Sequence, residues 1–147
     1  MAIHYATIDT QAPKIKRRET SKWIKETIEQ HQKRVGEIVY IFCSEAEILR
    51  FNREYLKHDY YTDIITFDYS EKDVVSGDLF ISLDTIKSNV EQFSTNYLEE
   101  LFRVMIHGIL HLCGFNDNTP ENASLMRKKE DEALSRLLTV SGSFIKQ

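Results

Sequence analysis

Leu98, Leu101, Phe102, Val104, Met105, Ile106, Ile109 and Leu110 cover nearly every face of a 3.6-residue helix. A helix that is apolar almost all round is stable only inside a core, so other elements must surround this one. Ser94 or Thr95 is the expected start. Near its end His107 and His111 stand four residues apart, on one face, with Cβ atoms about 5–6 Å apart. Gly114 predicts the stop, because glycine turns sharply at low steric cost, and the turn brings Asp117 back toward both imidazoles. Two histidines and one carboxylate on a buried scaffold predict an open metal site of three protein ligands, unlike the closed four-ligand sites of structural zinc. Zinc peptidases place a glutamate base directly after the first histidine, and here Gly108 stands in that position.

The remaining pattern predicts a short strand over 3–8 and a helix over 20–34, capped by Thr20, with Trp23, Ile24 and Ile28 as its apolar stripe. Gly36 is the expected end of that helix. A strand over 37–43 follows, then a helix from Ser44 to about Lys57 and a turn over 58–62. Strands over 64–69 and 78–82, joined by a charged loop with Gly77, are expected in the middle of the sheet. Asp84 starts a helix through about Phe93. The last helix begins at Thr119-Pro120-Glu121, where cap, first-turn proline and first-turn acid agree, and runs to about Leu138. The expectation is one α+β domain over residues 1–147, a small mixed sheet of about four strands with about five helices, and a zincin-like histidine helix packed on the sheet.

Several charged residues have two readings each. Arg103, one turn before His107, either holds a phosphate group beside the metal or pairs with a carboxylate. Glu130 shares a helical face with Met126, Ala133, Leu134 and Leu137, so its carboxylate needs a partner: a histidine it supports, or Arg103. Asp63 and Asp78 either form turns at strand starts or orient a ligand. His58 is a solvated residue or a phosphate and proton contact. The basic run Lys14, Lys16, Arg17, Arg18, Lys22 and Lys25 ordinarily reads as a solvated face, whereas single-stranded nucleic acid needs such a positive surface with aromatic residues nearby.

A chain of 147 residues, 41% hydrophobic and 29% charged, supports one core. Its net charge of −4 excludes a nucleic-acid binder that works by bulk charge, so any affinity of that kind requires a local basic surface. Cys43 and Cys113 lie in apolar segments without framework spacing, which predicts free thiols in a reducing cytoplasm. Nothing approaches 18 consecutive apolar residues, and the N-terminal Met-Ala-Ile-His-Tyr has no secretory pattern, so no membrane partner is expected.

His107 to Asn116 resembles the YbeY endoribonucleases, bacterial rRNA maturation factors, whose frame is His-Gly, two residues, His-Leu, one residue, Gly, an aromatic, Asp and a third histidine. Asp117 occupies the place of that histidine. Upstream, Phe51-Asn52, Tyr55 and Thr62 to Phe67 look like the family's Leu-Asn and Thr-Asp-Val-Leu-Ser-Phe segment, and Ser76 to Ser82 looks like its Gly-Asp-Ile strand. Met126 and Glu130 fall at matching offsets, so the resemblance runs from about residue 37 to 138. The family's arginine is replaced by Leu56, with Lys57 next. The resemblance implies a metal-dependent, single-strand-specific endoribonuclease that matures the 3′ end of small-subunit rRNA and serves ribosome quality control, with rRNA and the ribosome or its small subunit as partners. It implies one divalent ion, zinc first, on His107, His111 and Asp117, with Lys57, His58 and Arg103 neutralising charge on phosphate oxygens. The rivals are a ribosome-associated RNA-binding module with a structural metal and a peptidase-like hydrolase.

Overall fold

Runs of β-branched and aromatic residues build the strands, and amphipathic stretches build the helices. In chain order the elements are β1 (Ala2–Ile8), α1 (Arg17–Gln30), β2 (Arg34–Cys43), α2 (Glu45–Tyr55), β3 (Ile64–Asp68), β4 (Val74–Ser82), α3 (Leu83–Phe93), α4 (Tyr97–Leu112) and α5 (Pro120–Ser141). The computed structural model describes residues 2–55 and 62–141, and the expected turn over 58–62 lies almost wholly outside them. The described strands form one mixed sheet ordered β1-β2-β4-β3, parallel between β1 and β2 and between β2 and β4, antiparallel between β4 and β3. This is the expected α+β architecture. One placement differs: β4 is interior, but β3 is an edge strand, because β2 takes the other side of β4 through pairs such as Tyr40 with Leu79.

α4 lies in the core, as its composition requires. Leu101, Phe102, Val104, Met105, Ile106, Gly108, Ile109, Leu110 and Leu112 are all buried. The fully buried Tyr40 of β2 donates its hydroxyl to the Met105 carbonyl at 2.9 Å, which fixes the middle of the helix to the sheet. At Gly108 the approach is closer still: an added Cβ would lie 2.3 Å from Leu79 Cδ2 and 2.8 Å from Ile64 Cδ1. On the side away from the sheet, α5 closes the layer, and Trp23 of α1 donates its indole N–H to the Ala133 carbonyl of α5 at 2.8 Å.

Four expected boundaries move, each for a local reason. α1 starts at Arg17, a turn before Thr20, whose hydroxyl donates back to the Lys16 carbonyl at 2.7 Å inside the helix. Gly36 belongs to β2 and not to a helix end; a Cβ there would meet Ser76 Oγ, so the glycine permits two strands to touch. Ser82, accepting from the Thr85 N–H, caps α3, which begins at Leu83. Asn96 caps α4 by accepting from the Glu99 N–H at 3.0 Å, while Ser94 takes the left-handed φ of 55° that ends α3.

Gly77, expected in a loop, lies within β4. A Cβ there would sit 2.5 Å from the Phe67 carbonyl oxygen and 3.0 Å from Leu112 Cδ2 at the end of α4. Backbone cannot yield as a side-chain tip does. Gly77→Ala should therefore lower unfolding stability by about 1–3 kcal/mol, read as a lower urea midpoint at constant slope.

Candidate metal centre

The spacing of His107 and His111 on α4 sets their rings edge to face, with centroids 4.5 Å apart and Nε2 atoms 3.0 Å apart. Gly114 then ends the helix with φ +104°, its N–H bonded to the His111 carbonyl at 3.0 Å and the Phe115 N–H to the Leu110 carbonyl at 3.0 Å. These are the paired bonds of a Schellman cap, and they reverse the chain within two residues. Asp117 returns with its Oδ2 3.5 Å from His107 Nε2 and 3.6 Å from His111 Nε2. Ligands about 2.0–2.1 Å from a tetrahedral zinc are separated by about 3.3–3.4 Å, so this triangle has the size for one ion touching all three atoms. Among the described residues these three form a group able to hold a metal.

Behind the triangle stands Glu130 of α5, with its side chain 7% exposed. One oxygen lies 2.7 Å from His107 Nδ1, and the other accepts from Arg103 at 2.8 Å. Both readings of Glu130 thus hold at once. Accepting a hydrogen bond from Nδ1–H favours the tautomer in which His107 Nε2 carries a lone pair toward the triangle. The second arm of Arg103 reaches Asp131 at 2.7 Å, so both arms end on carboxylates, and the pairing reading of Arg103 is favoured over a phosphate contact. Asp131 was not legible as a site residue; its one signal was that a guanidinium fork seeks two acceptors.

Electrostatics separate the two imidazoles. Burial alone would lower His107, but the hydrogen bond and charge of Glu130, with Asp117 and Asp63, outweigh it and raise its pKa. Burial and the neighbouring His107 lower His111, against the pull of Asp117. Burial opposes ionisation of Glu130, yet His107 and Arg103 prevail and hold its pKa below the ordinary value. Asp63, just before β3, is raised by burial against the field of His107. Asp78 does not join it: its carboxylate accepts from the Tyr69 hydroxyl at 3.3 Å. Lys57, His58 and Leu56 lie outside the described residues.

Residues 5–138 match the family model described as Endoribonuclease YbeY. An Endoribonuclease YbeY of Bacteroides fragilis is 58% identical over 135 residues, 92% of this chain and 97% of its own. The protein of the same description from Porphyromonas gingivalis (strain ATCC 33277) is 50% identical over 141 residues, 96% of this chain and 93% of its own. A Thermotoga maritima protein solved in solution superposes with a TM-score of 0.68 at 26% identity, covering 95% of this chain and 94% of the other.

Glu130 makes metal-free stability depend on pH with a definite sign. Its pKa is depressed on folding, so its stabilisation is present above the unfolded value near 4.5 and is lost as pH falls through the folded value. Glu130→Gln should cost about 1.5–3 kcal/mol at pH 7, the worth of hydrogen bonds to a charged group. The gap from wild type should close between pH 5 and more acidic conditions, in urea titrations with chelator present; a gap independent of pH would contradict this assignment.

Proposed function

The chain belongs to the endoribonuclease YbeY family, and from that membership we propose that His107, His111 and Asp117 hold its divalent ion, with zinc the best fit to two imidazole nitrogens and a carboxylate oxygen. The protein is a metal-dependent endoribonuclease, a hydrolase of RNA phosphodiester bonds that acts in rRNA maturation. The observation that carries the metal assignment is the Nε2–Nε2–Oδ2 triangle with edges of 3.0, 3.5 and 3.6 Å. Bound there, the ion supplies Lewis-acid polarisation of a phosphate oxygen or an acidified water.

The chain's own groups divide the remaining work. Glu130 accepts a hydrogen bond from the Nδ1–H of His107 and orients the ring, while Arg103 keeps that carboxylate ionised; Arg103 is a positioning residue in this scheme. Asp117, whose side chain is 47% exposed, marks the side from which a phosphodiester reaches the triangle. Lys57 and His58, in the connection between α2 and β3, are assigned to charge on the phosphate oxygens. The substrate we assign is the single-stranded 3′ region of small-subunit rRNA, and the partner the small ribosomal subunit in the cytoplasm. The free, buried Cys43 and Cys113 fit a reducing compartment, and among the described residues no helix is long and apolar enough to cross a membrane.

Gly108 weighs against the peptidase alternative on geometry as well as on identity. Its missing Cβ points at Leu79 and Ile64 in the sheet layer, so a glutamate there would meet the core before the metal.

Zinc-loaded protein should cut single-stranded RNA, lose that activity to chelator, and regain it on returning the ion. His111→Ala should lose the stoichiometric metal and slow cutting by more than about 100-fold, beyond the 10–100-fold typical of losing an outer partner of a metal ligand. Far-ultraviolet circular dichroism should stay unchanged. Full cutting by His111→Ala would refute the metal assignment, and RNA binding without cutting by the loaded wild type would favour the binding-module reading.

A further inference from the structure

α1 carries its charge at the end where the helix gains least from it. Lys14, Lys16, Arg17 and Arg18 crowd the N-terminal turn, where the macrodipole favours acids, so helix stability does not account for them. Arg18, Lys22 and Lys25 then continue as an exposed stripe at helical spacing, opposite the buried Thr20, Trp23, Ile24, Thr27 and Ile28. None of those three cations has a carboxylate of the described residues within ion-pair distance, whereas Arg17 lies over the Tyr5 ring, 5.8 Å from its centroid. Beside the stripe runs an open groove of about 360 Å³ lined by Ile3, Ser21, Lys22, Lys25 and Val35. Its floor is apolar and its rim cationic, a pairing that suits ribose or base below and phosphate above.

Among the described residues, the metal centre has the opposite character. Asp117 and Glu130 lie against the histidines, the negative charge of Asp63 acts on His107, and Arg103, the cation bonded into this cluster, has both arms on carboxylates, those of Glu130 and Asp131. A polyanionic substrate therefore gains from an electrostatic hold beyond the charge assigned to Lys57 and His58. α1 links the two regions: from Arg18 to His31 its rise is about 20 Å, and the His31 ring lies 5.0 Å from that of Phe115 in the loop leading to Asp117.

We propose that the Arg18, Lys22 and Lys25 face of α1, with its adjoining groove, binds the sugar-phosphate backbone of single-stranded RNA remote from the cut and anchors the substrate. The proposal rests on the endoribonuclease reading and adds a second contact to it. A strand several nucleotides long engages both places, and a very short one engages the metal centre alone.

The test uses the full zinc-loaded chain and the triple variant Arg18→Gln, Lys22→Gln, Lys25→Gln, all exposed positions, with unchanged melting as the control. For a 20-nucleotide single strand against a trinucleotide, the ratio of kcat/KM should fall about tenfold in the variant. Binding of the 20-mer, followed by fluorescence anisotropy, should weaken and lose about 2 from its log–log salt slope, three phosphates at about 0.7 each. An unchanged ratio and slope in an enzyme that cuts would overturn the proposal while leaving the endoribonuclease reading intact. If the wild type cuts neither substrate, that reading fails and the salt slope still decides the α1 face. Loss of binding to phosphatidylserine vesicles with RNA binding retained would assign the face to a membrane and likewise overturn it.

Discussion

The carboxylate of Glu130 sits among Met126, Ala133, Leu134 and Leu137, on a face of α5 where an unpaired ion would be strongly destabilising. It is tolerated because each oxygen has its own partner, His107 Nδ1 at 2.7 Å and Arg103 at 2.8 Å. The same two bonds fasten α5 across α4, choose the tautomer of His107 and commit the guanidinium of Arg103. Fold and site therefore share one ion cluster. Removing the carboxylate would release a helix–helix contact and the orientation of His107, a proposed metal ligand, together.

That cluster works because its supports are rigid. Tyr40 pins the Met105 carbonyl from the sheet side, and Gly108 lets the helix settle against Leu79 and Ile64 just beside His107. Trp23 ties α1 to α5 through the Ala133 carbonyl and meets Phe102 of α4 edge to face at 5.8 Å. Three helices are thereby locked around the histidines by hydrogen bonds and ring contacts, and the flexible part of the problem is confined to the short return through Gly114 to Asp117. The Schellman bonds remove most of that freedom.

What could be read in the sequence was what local physics decides. The all-round apolar stretch, the histidine spacing, the Gly114 reversal and the Thr119-Pro120-Glu121 start each act within a turn of helix, and each appears where its chemistry puts it. Structure and sequence pattern part where a residue serves a partner other than the one its position suggests, and most of those partners are distant. Thr20 looked like a cap, but its hydroxyl turns inward to Lys16, and the true start has no side-chain cap. Gly36 looked like a stop, but its reason is Ser76 on a neighbouring strand. The edge position of β3 depends on β2 reaching β4 first, a pairing across more than thirty residues that no local pattern records. Likewise Arg103 and Glu130 each offered two partners on paper, and only packing of α5 on α4 resolved them.

Asp117 changes the charge of the centre more than its shape. With two neutral imidazoles and one carboxylate, a divalent ion bound at the proposed site would keep a net charge near +1, where three imidazoles would leave +2, and Glu130 behind His107 moves the balance further toward the negative. A less positive centre acidifies water less and attracts phosphate less, so part of the substrate's binding energy must come from cations outside the triangle. Arg103 cannot provide it while Glu130 and Asp131 hold both its arms. The cationic stripe of α1, unpaired among the described residues, is suited to supply it, since long-range attraction to a polyanion does not require contact with the reacting phosphate. Positive charge near the metal and positive charge along the RNA path are thus interchangeable for binding but not for the chemical step, which still depends on the geometry set by Glu130.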